Sequence, residues 1–431
     1  MSISLFIMLV IFVVGMFLGI PLSFSMILSS ASYLLASGKP LDLLSLRLFT
    51  GIDSFTLMAI PFFTMAANLM VLSGTTEKLL NFTNAMVGRF QGGLAYVNVL
   101  ASMLFGGCSG SAIADVAGLG IMEIDMMEKG GYKRDFSTAL TISSSIQGPL
   151  IPPSIMMVLI GATTGTSIGA LLLGSAIPGL LVGGSQMMII FIIAKIRHFP
   201  ISPFKVTKFQ IFKAFISAIP FLIMPIIIIG GILSGKFTPT EASAVAVAYG
   251  IILLFVFSLK TLKFFQVRKL LSDTAIISAS ILLLAGASNI FGYILSIEQI
   301  PQMLGDLLLA LTTNKYIILG LVLIFLLMWG MVMDSLPAIM ILSPILFPIA
   351  IRVGINPVHF GVVLGFALII GLITPPYGPA LFTGTIISGL PMEKLVKSMI
   401  PFLLSSLVIL ILTTFIPSIS LWLPTLFGLG N

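Results

Sequence analysis

Between Ile317 and Met328 no residue carries a polar side chain, and comparable runs recur along the whole 431-residue chain. Water cannot solvate such a run, so it must face lipid or another apolar surface, and a chain built from many of them has few folds open to it. Only 8% of the residues are charged and the mean hydropathy is +1.20, whereas ordinary soluble domains carry about 25% charged residues. An ordinary soluble protein is thereby excluded. Transmembrane β-strands alternate apolar and polar positions over roughly ten residues. These runs do not alternate, so the expected fold class is all-α, a polytopic integral membrane protein. The 41 glycines and 24 prolines are many for smooth helices, but a membrane bundle tolerates them where neighbouring helices re-satisfy the freed backbone groups. Broken helices are expected.

The formal charge of +7 raises the question of a nucleic-acid partner, and the placement of the basic residues answers it. They gather as Lys129, Lys133 and Arg134, then Lys195, Arg197, Lys205, Lys208 and Lys213, then Lys260, Lys263, Arg268 and Lys269. Each group lies between long apolar segments, the pattern of cytoplasmic loops under the positive-inside rule, so no nucleic acid is expected and the lipid bilayer is the partner. The single Cys108 excludes an intrachain disulfide. Met1 to Gly19 lacks a basic leader and runs on into apolar sequence, which reads as a retained first span. Spacing the groups against a span of about 20 residues gives about ten transmembrane helices with both termini periplasmic. Two short spans lie in 4–37, one over 54–73, two each in 134–195 and 213–260, then 274–296, 357–388 with a break, and 398–415. Two segments fit neither pattern, 91–128 and 316–352, interrupted midway by Gly106 to Ser111 and by Met333 to Pro337. Crossing twice, they would be short; crossing once, they would move the basic groups to opposite sides. Re-entrant hairpins with tips near mid-membrane satisfy both conditions.

Placing Pro152-Pro153 on Pro375-Pro376, an offset of 223 residues, also places Gly148 on Gly371, Gly161 on Gly384 and Ile177-Pro178 on Ile400-Pro401. The first copy, 1–197, starts outside and puts its hairpin on the cytoplasmic side. The second, 213–431, starts inside and puts its hairpin outside. These are inverted repeats, the plan in which secondary transporters place substrate and ion sites at the midplane where discontinuous helices meet. Each comprises scaffold helices, a hairpin and a broken helix, the latter over 136–162 in the first copy and 357–388 in the second. Residues 198–212 are expected to form a cytoplasmic amphipathic linker, with Phe199, Phe204, Phe209, Phe212 and Phe215 in the interface and the lysines toward anionic lipid.

The breaks carry the chemistry. Gln147 to Pro153 holds three prolines in five residues, each removing a backbone donor and the helical bond behind it. Carbonyls so freed cost several kcal/mol each in lipid unless something satisfies them, and a cation does. Gly371 to Pro376 repeats the device, with the Thr374 hydroxyl as a further oxygen, and the hairpin tips add Ser109, Ser111, Asp334 and Ser335. Hard oxygen donors suit sodium, and the His and Cys cluster that a transition metal needs is absent. Paired sodium sites are one reading of the breaks; hinges or close-packing sites are the other. Half-helix N-termini after each break turn positive dipole ends inward, which suits an anionic substrate. Asp115 and Asp334 are the acids nearest the tips. An intramembrane acid is functional by default, yet Asp is also a favoured helix cap, and Asp334 fits both roles. Asp115 lies one turn beyond Ser111 on the same helix face, a position that lines a substrate pocket. Glu123, Asp125 and Glu128 read as a solvated hairpin end, and Thr238-Pro239-Thr240-Glu241 as a capping box that starts a span. His198 and His359 have no catalytic or metal partner. Cys108, the stripe Met122, Met126 and Met127, and the pair Met156-Met157 read as packing. A channel would need a polar pore-lining stripe, which most spans lack, and an intramembrane enzyme would need a His or Asp beside a nucleophile.

Phe237-Thr238-Pro239-Thr240-Glu241-Ala242, the Ala59-Ile60-Pro61-Phe62-Phe63 span, the Gly107-Cys108-Ser109-Gly110-Ser111 tip with Asp115, and the two Pro-Pro breaks together resemble the large membrane subunit of tripartite ATP-independent periplasmic (TRAP) transporters. The resemblance covers the whole chain and leans toward the sialic acid branch. It implies a bacterial inner-membrane carrier, not an enzyme, with an elevator-type fold in which hairpins and broken helices move against a scaffold. It also implies uptake coupled to Na+ at two or more sites, a small four-helix membrane subunit, and a periplasmic substrate-binding protein that delivers an organic acid, sialic acid (N-acetylneuraminate) or a dicarboxylate. With 431 residues used up by two repeats, the chain is expected to be the large subunit alone. Carried over by residue, the first sodium site would involve Ser109, Ala112, Gly148, Ile151 and Pro153, and the second Asp334, Gly371, Thr374 and Pro376, while Ser111, Asp115 and Ser154 would face the substrate.

Overall fold

Glycine and proline cut the apolar sequence into many more helices than the spans alone require. The computed structural model describes residues 2–199, 207–258 and 264–430, the side chains of 107–109 excepted. Helices α1 (Ile3–Phe17), α2 (Leu22–Ala36), α3 (Asp42–Ile52), α4 (Ala59–Leu72) and α5 (Thr75–Val87) precede a first hairpin, α6 (Gly93–Ser109) and α7 (Ala112–Lys129). Helices α8 (Arg134–Ser144) and α9 (Ile155–Thr164) flank the first proline-rich break, and α10 (Ile168–Ile196) ends this half. The second half opens with α11 (Lys208–Leu233), α12 (Pro239–Ser258), α13 (Phe264–Ile297) and α14 (Ile300–Leu311). Its hairpin is α15 (Lys315–Gly330) and α16 (Ser335–Arg352), its broken pair α17 (Pro357–Leu372) and α18 (Pro379–Ser388), and α19 (Met392–Phe415) and α20 (Ser418–Leu426) close the chain. The described residues contain no strand, and the protein is an all-α polytopic membrane protein.

Six of these helices, α10, α11, α12, α13, α16 and α19, are each long and apolar enough to cross a bilayer, and α3 with 56–72 makes a seventh candidate bent by 60°. The expected count of about ten includes short crossings. Helices α1 and α2 have 15 residues each, about 22 Å against a hydrocarbon core of about 30 Å. The expected span 54–73 is preceded by α3 and begins with a 3-10 turn, and α5, α14 and α20 are helices that the span arithmetic did not require.

The offset of 223 residues reappears in the helix bounds. Shifting α7 by it gives 335–352, the bounds of α16; shifting the start of α8 gives 357, the start of α17; the starts of α9 and α10 fall one residue before those of α18 and α19. Pro178 inside α10 and Pro401 inside α19 share the same offset. In each half the first arm of the hairpin meets the break backbone to backbone. A Cβ on Gly106 would lie 2.2 Å from the Gly148 Cα, and one on Gly371 would lie 2.5 Å from the Gly330 Cα. Glycine at both members of each pair is therefore a packing requirement.

The halves are stitched together by polar groups that lipid could not satisfy. Arg134 Nε donates to the Ser388 carbonyl at 2.9 Å, and Asp135 accepts from Ser398 Oγ at 3.0 Å. Gln147 Nε2 donates to Gln186 Oε1 at 2.6 Å, which fixes the first break to α10. His359, buried in α17, has Nδ1 2.7 Å from Ser420 Oγ and Nε2 3.2 Å from the Thr414 carbonyl, a satisfied structural histidine that docks α20. Helices α2, α3 and α4 pack against α13, and α4 also against α12; α4 in turn meets α6 and α9, and α13 meets α16.

Two expectations about polar ends change. Phe199 is half-buried against the protein, its ring centroid 4.8 Å from Tyr132 and 5.0 Å from Phe136, because the end of α10 folds back over the first hairpin. Phe209, Phe212 and Phe215 stay exposed on the first turns of α11, while Phe204 lies outside the described residues. Glu123 is fully buried and does not belong to a solvated end; only Asp125, 2.7 Å from Lys129, and Glu128, 2.8 Å from Arg134, form that end.

Gly106→Ala or Gly371→Ala should destabilise the folded protein by about 1–3 kcal/mol or more through overpacking. Gly184→Ala, where a Cβ meets nothing within 4 Å, should be neutral or slightly stabilising, a contrast that melting temperatures in detergent will show. A pH-dependent effect arises at Glu298. Ser2 Oγ and Tyr33 Oη both donate to its Oε1, at 2.7 and 2.8 Å, and these bonds hold the carboxyl below the usual glutamate range. A carboxyl lowered by folding adds stability above its unfolded pKa and loses it as the pH falls through the lower folded value. The melting-temperature difference between wild type and Glu298→Gln should thus be largest near neutral pH and vanish in acid.

Candidate functional site

The hairpin tips turn on particular residues. Gly110 takes a left-handed conformation, φ +62°, which a side chain would resist, and Ser111 then caps α7 by accepting the Ala114 N–H at 3.3 Å. At the second tip Asp334 caps α16, its Oδ1 accepting from Ser335 N at 2.6 Å and Ser335 Oγ at 3.2 Å. This tip is tied to the second break by Gly378 N, which donates to the Met331 carbonyl at 3.1 Å. In the first break the Gln147 carbonyl accepts from Leu150 and Ile151. Ser154 donates to the Pro149 carbonyl at 2.5 Å and accepts the Met157 N–H at the start of α9. Both Pro-Pro peptide bonds are cis.

These elements enclose a cavity of about 430 Å³. Gly110 and Ser111 of one tip, Asp334 and Ser335 of the other, Pro149 and Leu372 of the breaks, Asn68 and Thr64 of α4 and Ile277 and Ile281 of α13 line it. The wall is mostly apolar, and among the described residues no Lys, Arg or His belongs to it. The first turns of α7, α9 and α16 all contribute to it, so three helix N-termini, each with orphan N–H groups and a positive dipole end, meet at one space. That arrangement attracts negative charge without a buried cation.

The structure gathers part of the expected set at this wall. Ser111, Ala112 and Asp334 line the cavity. The carbonyls of Gly148, Ile151 and Pro153 in the first break, and of Thr374 and Pro376 in the second, accept no hydrogen bond among the described residues, whereas that of Gly371 accepts the Thr374 N–H at 3.0 Å. Thr374 Oγ1 donates to the Ile370 carbonyl at 2.7 Å, which leaves its lone pairs free. The Ser109 side chain lies outside the described residues. Ser154 is fully buried, spends its hydroxyl on the break, and is not part of the cavity wall. Asp115 is also buried behind the wall, beside Ser102.

Behind the tip lies a polar cluster that the sequence reading missed. Asn98 Nδ2 donates to Glu123 Oε2 at 2.8 Å and to Thr141 Oγ1 at 2.7 Å, while Ser144 Oγ donates to Asn98 Oδ1 at 2.9 Å and stands 3.1 Å from Ser102 Oγ. The signal was present: Asp115, Leu119 and Glu123 follow one another at intervals of four on α7, which is one buried stripe.

Residues 9–419 match the family described as tripartite ATP-independent periplasmic transporter, DctM component. The chain belongs to this family. It is 41% identical over 419 residues to the sialic acid TRAP transporter large permease protein SiaM of Vibrio cholerae, covering 96% of this chain and 97% of that one. It is 38% identical over 398 residues to the C4-dicarboxylate TRAP transporter large permease protein DctM of Pseudomonas aeruginosa, 92% of each chain. The solved structure of the Alcanivorax borkumensis YdaH transporter has a similar fold, with TM-score 0.63, 16% identity and coverage of 90% and 89%. The protein is thus a TRAP transporter large permease of the multi-pass inner-membrane type, and not an enzyme; its family is that of a tripartite system with a small membrane subunit and a substrate-binding protein.

Ser154→Ala removes a cap and the donor to Pro149 together. It should lower stability by about 1 kcal/mol or somewhat more, read as a reduced melting temperature of this permease in detergent.

Proposed function

We propose that this permease carries an organic acid anion inward with sodium, by an elevator-type movement of its hairpins and broken helices, and that sialic acid is the anion. The carrying observation is the cavity between the two tips, where three helix N-termini converge on a wall that, among the described residues, has no basic side chain. A carboxylate fits there, and sodium neutralises it through oxygens that the prolines leave free. One sodium site comprises Ser109, Ala112, Gly148, Ile151 and Pro153, and the second Asp334, Gly371, Thr374 and Pro376. Ser111 faces the cargo at the wall, and Asp115 and Ser154 support the same site from behind. The substrate arrives from a periplasmic substrate-binding protein, a small four-helix subunit completes the membrane part, and both termini are periplasmic. The relative SiaM supports the sialic acid reading; the DctM relative supports a C4-dicarboxylate as the second reading.

Uptake of radiolabelled sialic acid or a C4-dicarboxylate into proteoliposomes holding the complete transporter, with and without a sodium gradient and the binding protein, tests this. Uptake should need both. Thr374→Ala should raise the sodium concentration for half-maximal uptake about five- to tenfold, the equivalent of about 1 kcal/mol for one lost oxygen. Uptake indifferent to sodium would overturn the coupling, and an unchanged sodium response in Thr374→Ala would remove that side chain from the site.

A further inference from the structure

Glu123 has no place in the sodium sites or the cavity wall, yet it is fully buried in the second arm of the first hairpin. Its Oε2 is held by Asn98, but its Oε1 has no hydrogen-bond partner among the described residues. Of the neighbouring side chains, Thr141 keeps a hydroxyl hydrogen to offer the carboxyl. Both amide hydrogens of Asn98 are committed, to Glu123 Oε2 and to Thr141, and Ser144 gives its hydrogen toward Asn98.

Among the described residues no cation offsets the charge. Helices α6, α8 and α18 pack against α7. On α8, Arg134 pairs with Glu128 and Asp135 accepts from Ser398. On α6, Tyr96 lines a different cleft, with Gln91, and the Cys108 side chain lies outside the described residues. Helix α18 carries no charged residue. On α7 itself, Asp125, Glu128 and Lys129 belong to the solvated end, so the second carboxyl of the buried stripe is Asp115, which adds negative charge. A buried carboxylate without a cation is far costlier than the neutral acid, and the hairpin bears two.

We propose that Glu123 is a proton-binding site, its Oε1 holding a hydrogen that exchanges with the medium while Asn98 and Thr141 orient the carboxyl. This goes beyond sodium-coupled uptake: it gives the first hairpin a charge state set by pH, with a proton as the ligand. No redox or covalent step is involved; the proton adds to Oε1 and leaves from it.

Infrared difference spectroscopy of the complete transporter in lipid nanodiscs, titrated from acidic to alkaline pH at fixed sodium, reads this site directly. A protonated-carboxyl C=O band should be present, fall as the pH rises, vanish in Glu123→Gln and return in Glu123→Asp. A wild-type protein with no such band at any pH overturns the proposal, and needs no variant to fold. So does a band that ignores pH, one that survives Glu123→Gln but is lost in Asp115→Asn, or one that responds to sodium instead of protons. A second arm rests on the transport reading: the pH profile of sodium-driven uptake should flatten in Glu123→Gln, and an unaltered profile overturns a role of this proton in transport. Failure of uptake altogether leaves the infrared result intact, so the two readings fail separately.

Discussion

Two glycine pairs, Gly106 with Gly148 and Gly330 with Gly371, bring a hairpin arm against a broken helix with no side chain between them. Everything central to the protein depends on this approach. It sets each tip beside a proline-rich break, so that helix N-termini from the hairpins share one small space with Pro149 and Leu372 of the breaks. A methyl group added at Gly106 or Gly371 would push the two elements apart and carry the tip away from its break.

The backbone thereby takes over work that charged side chains do in soluble proteins. A buried lysine or arginine would have to be desolvated and paired at a cost of several kcal/mol, whereas a helix N-terminus is a fixed dipole already built into the fold. A membrane chain with 8% charged residues can afford few intramembrane ions. Three acids, Asp115, Glu123 and Asp334, lie in the two hairpins. The surrounding hydroxyl and amide groups of Asn98, Ser102, Thr141 and Ser144 bond to one another, so the first hairpin contains a polar interior sealed from lipid.

Much of the fold was legible in the sequence because bilayers restrict backbone so severely. Apolar run length gave the spans, Gly and Pro gave the interruptions, and the offset of 223 residues read from Pro152 and Pro375 recurs in the bounds of α7 and α16 to the residue. The tip residues Ser111 and Asp334 were found because caps have strong residue preferences. Glu123 was misplaced by its sequence neighbours: next to Asp125, Glu128 and Lys129 it resembled a solvated end, although its interval of eight from Asp115 placed it on the buried stripe. Ser154 illustrates the opposite case. Its type and position suited a ligand, but the Pro149 carbonyl five residues back captured its hydroxyl, a local bond that no spacing rule exposes.

By itself the sequence determined that this chain is a helical membrane protein, where its helices break, and which residues are chemically able to act there, because length, hydropathy and proline act locally. Only the tertiary structure decided which of those residues share a cavity, which stand behind its wall, and which acids are buried together. Those outcomes rest on contacts between segments far apart in the chain, such as Arg134 with Ser388 and Gly330 with Gly371, and a local pattern carries no information about which distant surface will cover it.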